Sequence, residues 1–153
     1  MTADNYILFT VAGTAYALPS QDVAHVEMVE SITRVPNAPA FVDGVVFSRG
    51  QVVPAINMRA RFGFERAPLD VSSRLLVVQN KGRSVGLLVD RIVGHREIVV
   101  RSTADPLIRV DGVTGATDLG DGRAVLILDA GAIARSARER HTRRGLTVVR
   151  GIA

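Results

Sequence analysis

The chain reads as an all-β protein: two similar five-stranded, barrel-like subdomains packed into one domain, with a short C-terminal helix. Three observations predict this. Short apolar runs recur at regular spacing with glycine turns between them, and little of the chain has helical periodicity. The second half repeats the first. Gly13 with Tyr16-Ala17-Leu18 matches Gly82 with Val85-Gly86-Leu87, Val23 matches Ile92, Gly44 matches Gly115, and Val53 to Asn57 matches Val125 to Asp129. Finally, 153 residues at 47% hydrophobic and 22% charged are enough for one buried core but leave neither half comfortable alone. The domain is expected over 1–134, with intertwined subdomains near 1–66 and 74–134 and a basic tail over 135–153.

In order, Tyr6 to Val11 forms a strand that turns at Gly13 and returns through Tyr16 to Leu18. Pro19 to Asp22 breaks the pattern. Val23 to Val29 is extended, with Val23, His25, Glu27 and Val29 on one face and Val26 and Met28 on the other. Thr33 to Pro39 holds two prolines and connects to a hairpin, Val42 to Phe47 and Val52 to Ile56, around Ser48-Arg49-Gly50. Gly44 inside its first strand marks a bulge or a close backbone approach, and Pro54 a bulge or an edge. Arg59 to Phe64 supplies a turn of helix, and Glu65 to Ser73 a polar loop. The second block runs from Arg74 to Gln79, through Val85 to Val89, Ile92-Val93 and Ile98 to Val100, to an irregular Ser102 to Arg109. Gly112 to Thr117 and Val125 to Leu128 are its last strands, about a turn at Gly120 to Gly122. Asp129 then caps a helix with the stripe Ala130, Ile133, Ala134 and Ala137.

Composition narrows the function. The chain has no cysteine, which excludes disulfides, thiolate metal sites and a cysteine nucleophile. No apolar run approaches the roughly 20 residues that span a bilayer, and the N-terminus lacks a signal-peptide pattern, so a cytoplasmic location is expected. The net charge of +4 belongs to the tail: six arginines against Glu139 after Ala134 give +5, leaving the body at −1. His25, His95 and His141 form no metal-ligand spacing. Asp90 and Asp129 could converge as a carboxylate pair, but each follows an apolar strand, where aspartate commonly caps the next element. No phosphate-cradling loop or nucleophile motif occurs, so no cofactor and no small-molecule substrate are expected. A β-barrel nucleic-acid binder is the alternative from another class; aromatics of 5%, no tryptophan and a near-neutral body argue against it.

The motifs carry a resemblance. ITRVPNAPAFVDGVVFSRGQVVPAINMRARFG, with YALP before it and RSVGLLVDRIVG and GVTGATDLGDGRAVLILD after it, resembles the CheW-like domain of bacterial chemotaxis coupling proteins, over about Tyr6 to Ala134. That resemblance implies two five-stranded, SH3-like subdomains enclosing an apolar groove. It also implies a non-enzymatic adaptor between chemoreceptor signalling tips and the regulatory domain of a histidine kinase, itself a CheW-like fold. The alternative within the class is a similar adaptor in a non-flagellar chemosensory pathway, serving surface motility or development. Gly44, Arg49 and Gly50 match the family's G-x-x-N-L-R-G hairpin, Val23 falls in its groove-lining segment, and Gly115 matches the second glycine strand. The expected protein-binding residues are therefore Val23, Val26, Gly44, Val45, Arg49, Val89 and Gly115. Three departures from the pattern stand out: Phe47-Ser48 replaces Asn-Leu, Asn57 replaces the aspartate of I-D-L-R, and His25 replaces a glutamate. Glu27, on the same strand face as His25, is placed to partner Arg49 instead.

Overall fold

The computed structural model describes residues 3–99, 101–102, 112–119 and 122–137. The expected irregular Ser102 to Arg109 falls almost wholly outside them, as does all of the basic tail after Ala137. The strands are β1 (Ala3–Val11), β2 (Thr14–Pro19), β3 (Val23–Met28), β4 (Val42–Ser48), β5 (Gln51–Asn57), β6 (Arg74–Asn80), β7 (Arg83–Val89), β8 (Arg91–Val99), β9 (Arg101–Ser102), β10 (Val113–Asp118) and β11 (Ala124–Leu128). Two short helices, α1 (Met58–Arg61) and α2 (Ala130–Arg135), follow β5 and β11.

The sequence repeat is a structural repeat with an exchange. One sheet runs β8-β1-β2-β11-β10-β9 and the other β3-β6-β7-β5-β4, so each draws strands from both halves of the chain. The opening hairpin of each half has crossed into the other half's sheet. The registers are equivalent residue for residue. β2 lies parallel to β11 with Ala17 opposite Ile127, and β7 parallel to β5 with Gly86 opposite Ala55. A bulge separates Val23 from His25 where β3 meets β6, and the same irregularity separates Ile92 from Gly94 where β8 meets β1. Even the helix caps repeat: Asn57 accepts from the Ala60 amide, and Asp129 from those of Gly131 and Ala132.

Each sheet buries side chains from both of its faces. Val46, Ala55, Leu75, Val77 and Leu88 fill the inside of the second sheet, and Tyr6, Leu8, Ala17, Ile98, Val125 and Ile127 the inside of the first. Between them lies the largest cluster, which includes Phe9, Tyr16, Leu18, Ile56, Met58, Leu76, Leu87, Leu128 and Ile133. Tyr16 stacks on Phe62 with centroids 4.7 Å apart, and the Arg61 guanidinium sits over the Phe41 ring. These rings are committed to packing. The expected apolar stripe of the last helix is buried at Ala130, Ile133 and Ala134.

One ionic clamp ties the two sheets together. Arg59, in α1, donates from Nε and Nη2 to Asp90, at 3.0 Å to Oδ1 and 2.7 Å to Oδ2. Asp90 links β7 of one sheet to β8 of the other, and its Oδ2 also accepts the Ala12 amide from the β1–β2 turn at 2.8 Å. Burial pushes the Asp90 carboxyl up, but the hydrogen bonds from Arg59 and Ala12, with the Arg59 charge, outweigh it and hold the group below its ordinary value. A carboxylate depressed in the folded state contributes stability that is present above its unfolded pKa, about 3.9, and lost as pH falls through the folded value. Asp90→Asn is therefore expected to cost about 1–2 kcal/mol at pH 7, discounted for partial exposure. The gap to the wild type should close as denaturant melts are taken below about pH 4.

Candidate protein-binding surface

The β4–β5 hairpin turns through two residues, Arg49 and Gly50, both at positive φ (50° and 80°), and pairs Ser48 with Gln51. Positive φ at both central positions is the signature of a type I′ turn, whose twist matches the strands beside it. Glycine meets that requirement freely and arginine does not. The turn therefore holds the Arg49 side chain out at the tip, 69% exposed.

β3 and β4 are the two edges of their sheet, and they close on one another through side chains. His25 Nε2 lies 3.0 Å from Ser48 Oγ and 2.6 Å from Glu27 Oε2, and Ser48 Oγ donates to Glu27. Glu27 Oε2 in turn lies 3.9 Å from Arg49 Nε, the partnership expected from their strand faces. Ser48 is buried, so the Asn-Leu departure at this hairpin puts a hydroxyl where it joins both edges. Below this seam, Thr33 and Val45 exchange backbone hydrogen bonds at 2.9 and 2.8 Å, which continues the closure.

The residues alternating with this network face outward. Val26 and Met28 on β3 are 39% and 66% exposed, and the cross-strand pair Phe47 and Val52 is 73% and 63% exposed. Large apolar side chains are thus exposed on the two edge strands that close on one another and on β5 beside them. Arg49 stands at the hairpin tip.

The expected binding residues do not all meet there. Val26 and Arg49 do. Val23 is half-buried against the central core, and Val45 is half-buried in the strand that pairs with Thr33. Gly44 is buried, with the Thr33 carbonyl crossing directly over it. Gly115 is buried in the other sheet, where it pairs with Ile127. Val89, expected to line a groove, is 1% exposed in the central core and offers no surface to a partner. Phe47, Val52 and Met28 are absent from the expected set. The two-residue turn was the available signal: it makes Phe47 and Val52 cross-strand neighbours facing away from buried Val46 and Val53.

The possible carboxylate pair resolves into separate duties, since Asp129 caps α2 and Asp90 takes Arg59. Among the described residues, no group of three or more histidine or carboxylate side chains is placed to hold a metal ion. Among them, too, no helix is long and apolar enough to cross a membrane.

As to Arg49 itself, Arg49→Asn is expected to leave stability unchanged or to raise it by up to about 1 kcal/mol. Asparagine accepts positive φ, and an exposed ion pair at such a distance contributes little. A thermal melt that drops instead would give the Glu27 contact a structural weight that its geometry does not suggest.

Comparison with known proteins fits this geometry. The family model for the CheW-like domain matches residues 5–138. The chain is 26% identical over 139 residues to the chemotaxis protein CheW of Bacillus subtilis, covering 86% of this chain and 87% of that one. It is 30% identical over 130 residues to the chemotaxis protein CheA of Salmonella typhimurium, and 34% identical over 90 residues to CheA of Bacillus subtilis. Those matches cover 84% and 58% of this chain but only 19% and 13% of the CheA proteins. Among solved structures, the scaffolding protein TtCheW from Thermoanaerobacter tengcongensis superposes with a TM-score of 0.75 at 27% identity, over 84% of this chain and 90% of that one. A fold of two exchanged β sheets and a family match that runs through both of them lead to one assignment: the chain belongs to the CheW-like domain family.

Proposed function

We propose that this protein is a non-enzymatic adaptor of a chemosensory pathway, coupling chemoreceptors to a histidine kinase. It acts as a single domain over 1–134, in the cytoplasm, at membrane-associated receptor arrays. The exposed apolar side chains of Val26, Met28, Phe47 and Val52, with Arg49 at the hairpin tip, support this reading most directly, because they stand uncovered on the strands that the His25–Ser48 and Thr33–Val45 contacts bring together. In this reading that surface receives the CheW-like domain of the kinase, whose fold the chain shares, and the groove between the two sheets receives the helical tip of a receptor. An adaptor needs both sites, and a difference in affinity between receptor states, in order to transmit anything.

The test is a pull-down of kinase and receptor fragments from the same organism with wild type, Arg49→Asn and Val26→Asp. Val26 is chosen over Val23 because Val23 packs on the core, where an aspartate would act through folding. Loss of the kinase fragment with Val26→Asp, at an unchanged melting temperature, supports the reading. Retention of neither fragment by the wild type sinks it. Removing 138–153 is expected to leave both interactions intact, which would mark the arginine-rich segment as a solvated end.

A further inference from the structure

The outer faces of β5 and β7 run out of the central core past α2 and form an open cleft of about 300 Å³. Val52, Pro54, Val85, Ala134 and Ala137 give it an apolar wall, while Asn80, Arg83 and Ser84 line the other side. This is at the small end of the range for ligand pockets, with room for a few side chains rather than a cofactor. Val52 is also the cross-strand partner of exposed Phe47, so the apolar wall continues onto the surface described above.

The charge at this end is uneven. β5 and β7 are parallel with Ala55 opposite Gly86, so the turns preceding them, Arg49-Gly50 and Lys81-Gly82, lie at the same end of the sheet. Arg49, Lys81 and Arg83 are all exposed there. Among the described residues, the only carboxylate within ion-pair distance of any of the three is Glu27, at 3.9 Å from Arg49. Asp129, near Asn80 at the start of α2, is committed to the Gly131 and Ala132 amides, which its Oδ1 accepts at 2.9 and 3.3 Å. A guanidinium on the wall of an apolar cleft is costly to cover unless the occupant brings an anion, and it binds a carboxylate in a two-pronged geometry when one is supplied.

We propose that this cleft takes an amphipathic helix of a partner protein bearing an Asp or Glu one turn away from an aliphatic side chain. The carboxylate would pair with Arg83, within reach of Ser84 and Asn80, and the aliphatic group would lie against Val52, Pro54 and Ala134. Residues three or four apart share a helix face, so one turn presents both groups together. The inference rests on the adaptor reading and adds the chemistry that selects its helical partner.

The experiment measures, by calorimetry, binding of a receptor helical-tip fragment to the full chain as wild type, Arg83→Gln, Arg83→Glu and Arg34→Glu. Arg34 lines a separate cleft between the 32–43 and 66–69 segments and serves as a charge-matched control. Arg83→Gln is expected to weaken binding about tenfold, and Arg83→Glu more, with Arg34→Glu unchanged. A Glu→Lys or Asp→Lys change in the fragment should restore binding to Arg83→Glu. Wild-type affinity in both Arg83 variants, or equal losses at Arg83 and Arg34, overturns the inference and leaves the adaptor reading standing. A wild type that binds neither the receptor fragment nor the kinase domain overturns both.

Discussion

Gly44→Ala is expected to destabilise the protein by at least about 3 kcal/mol, enough to lower the melting temperature by roughly 6–12 °C for a chain of this size. Two effects combine. The backbone at Gly44 has φ +152°, which an L side chain rarely adopts. An added Cβ would also stand 2.1 Å from the Thr33 carbonyl oxygen and 2.7 Å from its carbon. The obstacle is main chain, so no rotamer change relieves it. Thr33 cannot retreat, because its amide and carbonyl are both bonded to Val45 in closing the barrel. The control is Gly131→Ala in α2, where the nearest contact is 3.4 Å and alanine's helix preference should leave stability level or up by about 0.5–1 kcal/mol. Equal melts for the two variants would mean that the Thr33 segment does not press on β4 in solution.

Gly44 also marks how far the sequence could be read. A glycine inside an apolar strand announces a close backbone approach, and Thr33 is what approaches. The turns were equally legible: Ala12-Gly13, Arg49-Gly50 and Lys81-Gly82 each set a two-residue hairpin, and the internal repeat exposed the two-fold plan. The exchange of hairpins between halves was not legible. Alternation assigns side chains to faces of a strand, but the choice of neighbour across β2–β11 and β5–β7 depends on residues 30 to 110 positions apart. Val89 was misplaced for a related reason. In Val85-Gly86-Leu87-Leu88-Val89 both faces are apolar because both are buried, Leu88 inside the barrel and Leu87 and Val89 between the sheets. Such a run gives no periodic signal to separate a core from a groove. The joining of His25 to Ser48 was hidden as well, since β3 and β4 lie at opposite edges of their sheet and meet only when it curls.

Asn57→Asp, a change toward the residue that the family pattern carries at this position, is expected to destabilise this chain by about 2–3 kcal/mol at pH 7. Asn57 is 5% exposed and uses both ends of its amide. Its Oδ1 caps α1 by accepting from the Ala60 amide at 3.1 Å, which aspartate would do equally well. Its Nδ2 donates to Asp43 Oδ2 at 2.7 Å, which aspartate cannot do. The substitution would set two carboxylates at hydrogen-bond distance, with the Arg66 guanidinium, 2.8 Å from the other oxygen of Asp43, offsetting only part of the repulsion. One of the pair must then hold a proton more tightly when folded than when unfolded. A folded pKa raised in this way makes the folded state bind the extra proton, so the deficit grows as pH rises through the carboxylate range and shrinks as it falls. Denaturant melts at pH 4 and pH 7 should show that difference, with the same sign as in the Asp90→Asn case but a different origin: there a favourable charge pair is lost on acidification, here an unfavourable one is relieved. Adding Asp43→Asn to Asn57→Asp restores a donor opposite the new carboxylate and should recover most of the loss, with a coupling energy of about 1–2 kcal/mol in the double-mutant cycle. A single Asn57→Asp variant as stable as the wild type at pH 7, or a double variant no better than the single, would show that Asp43 is not what requires an amide at position 57.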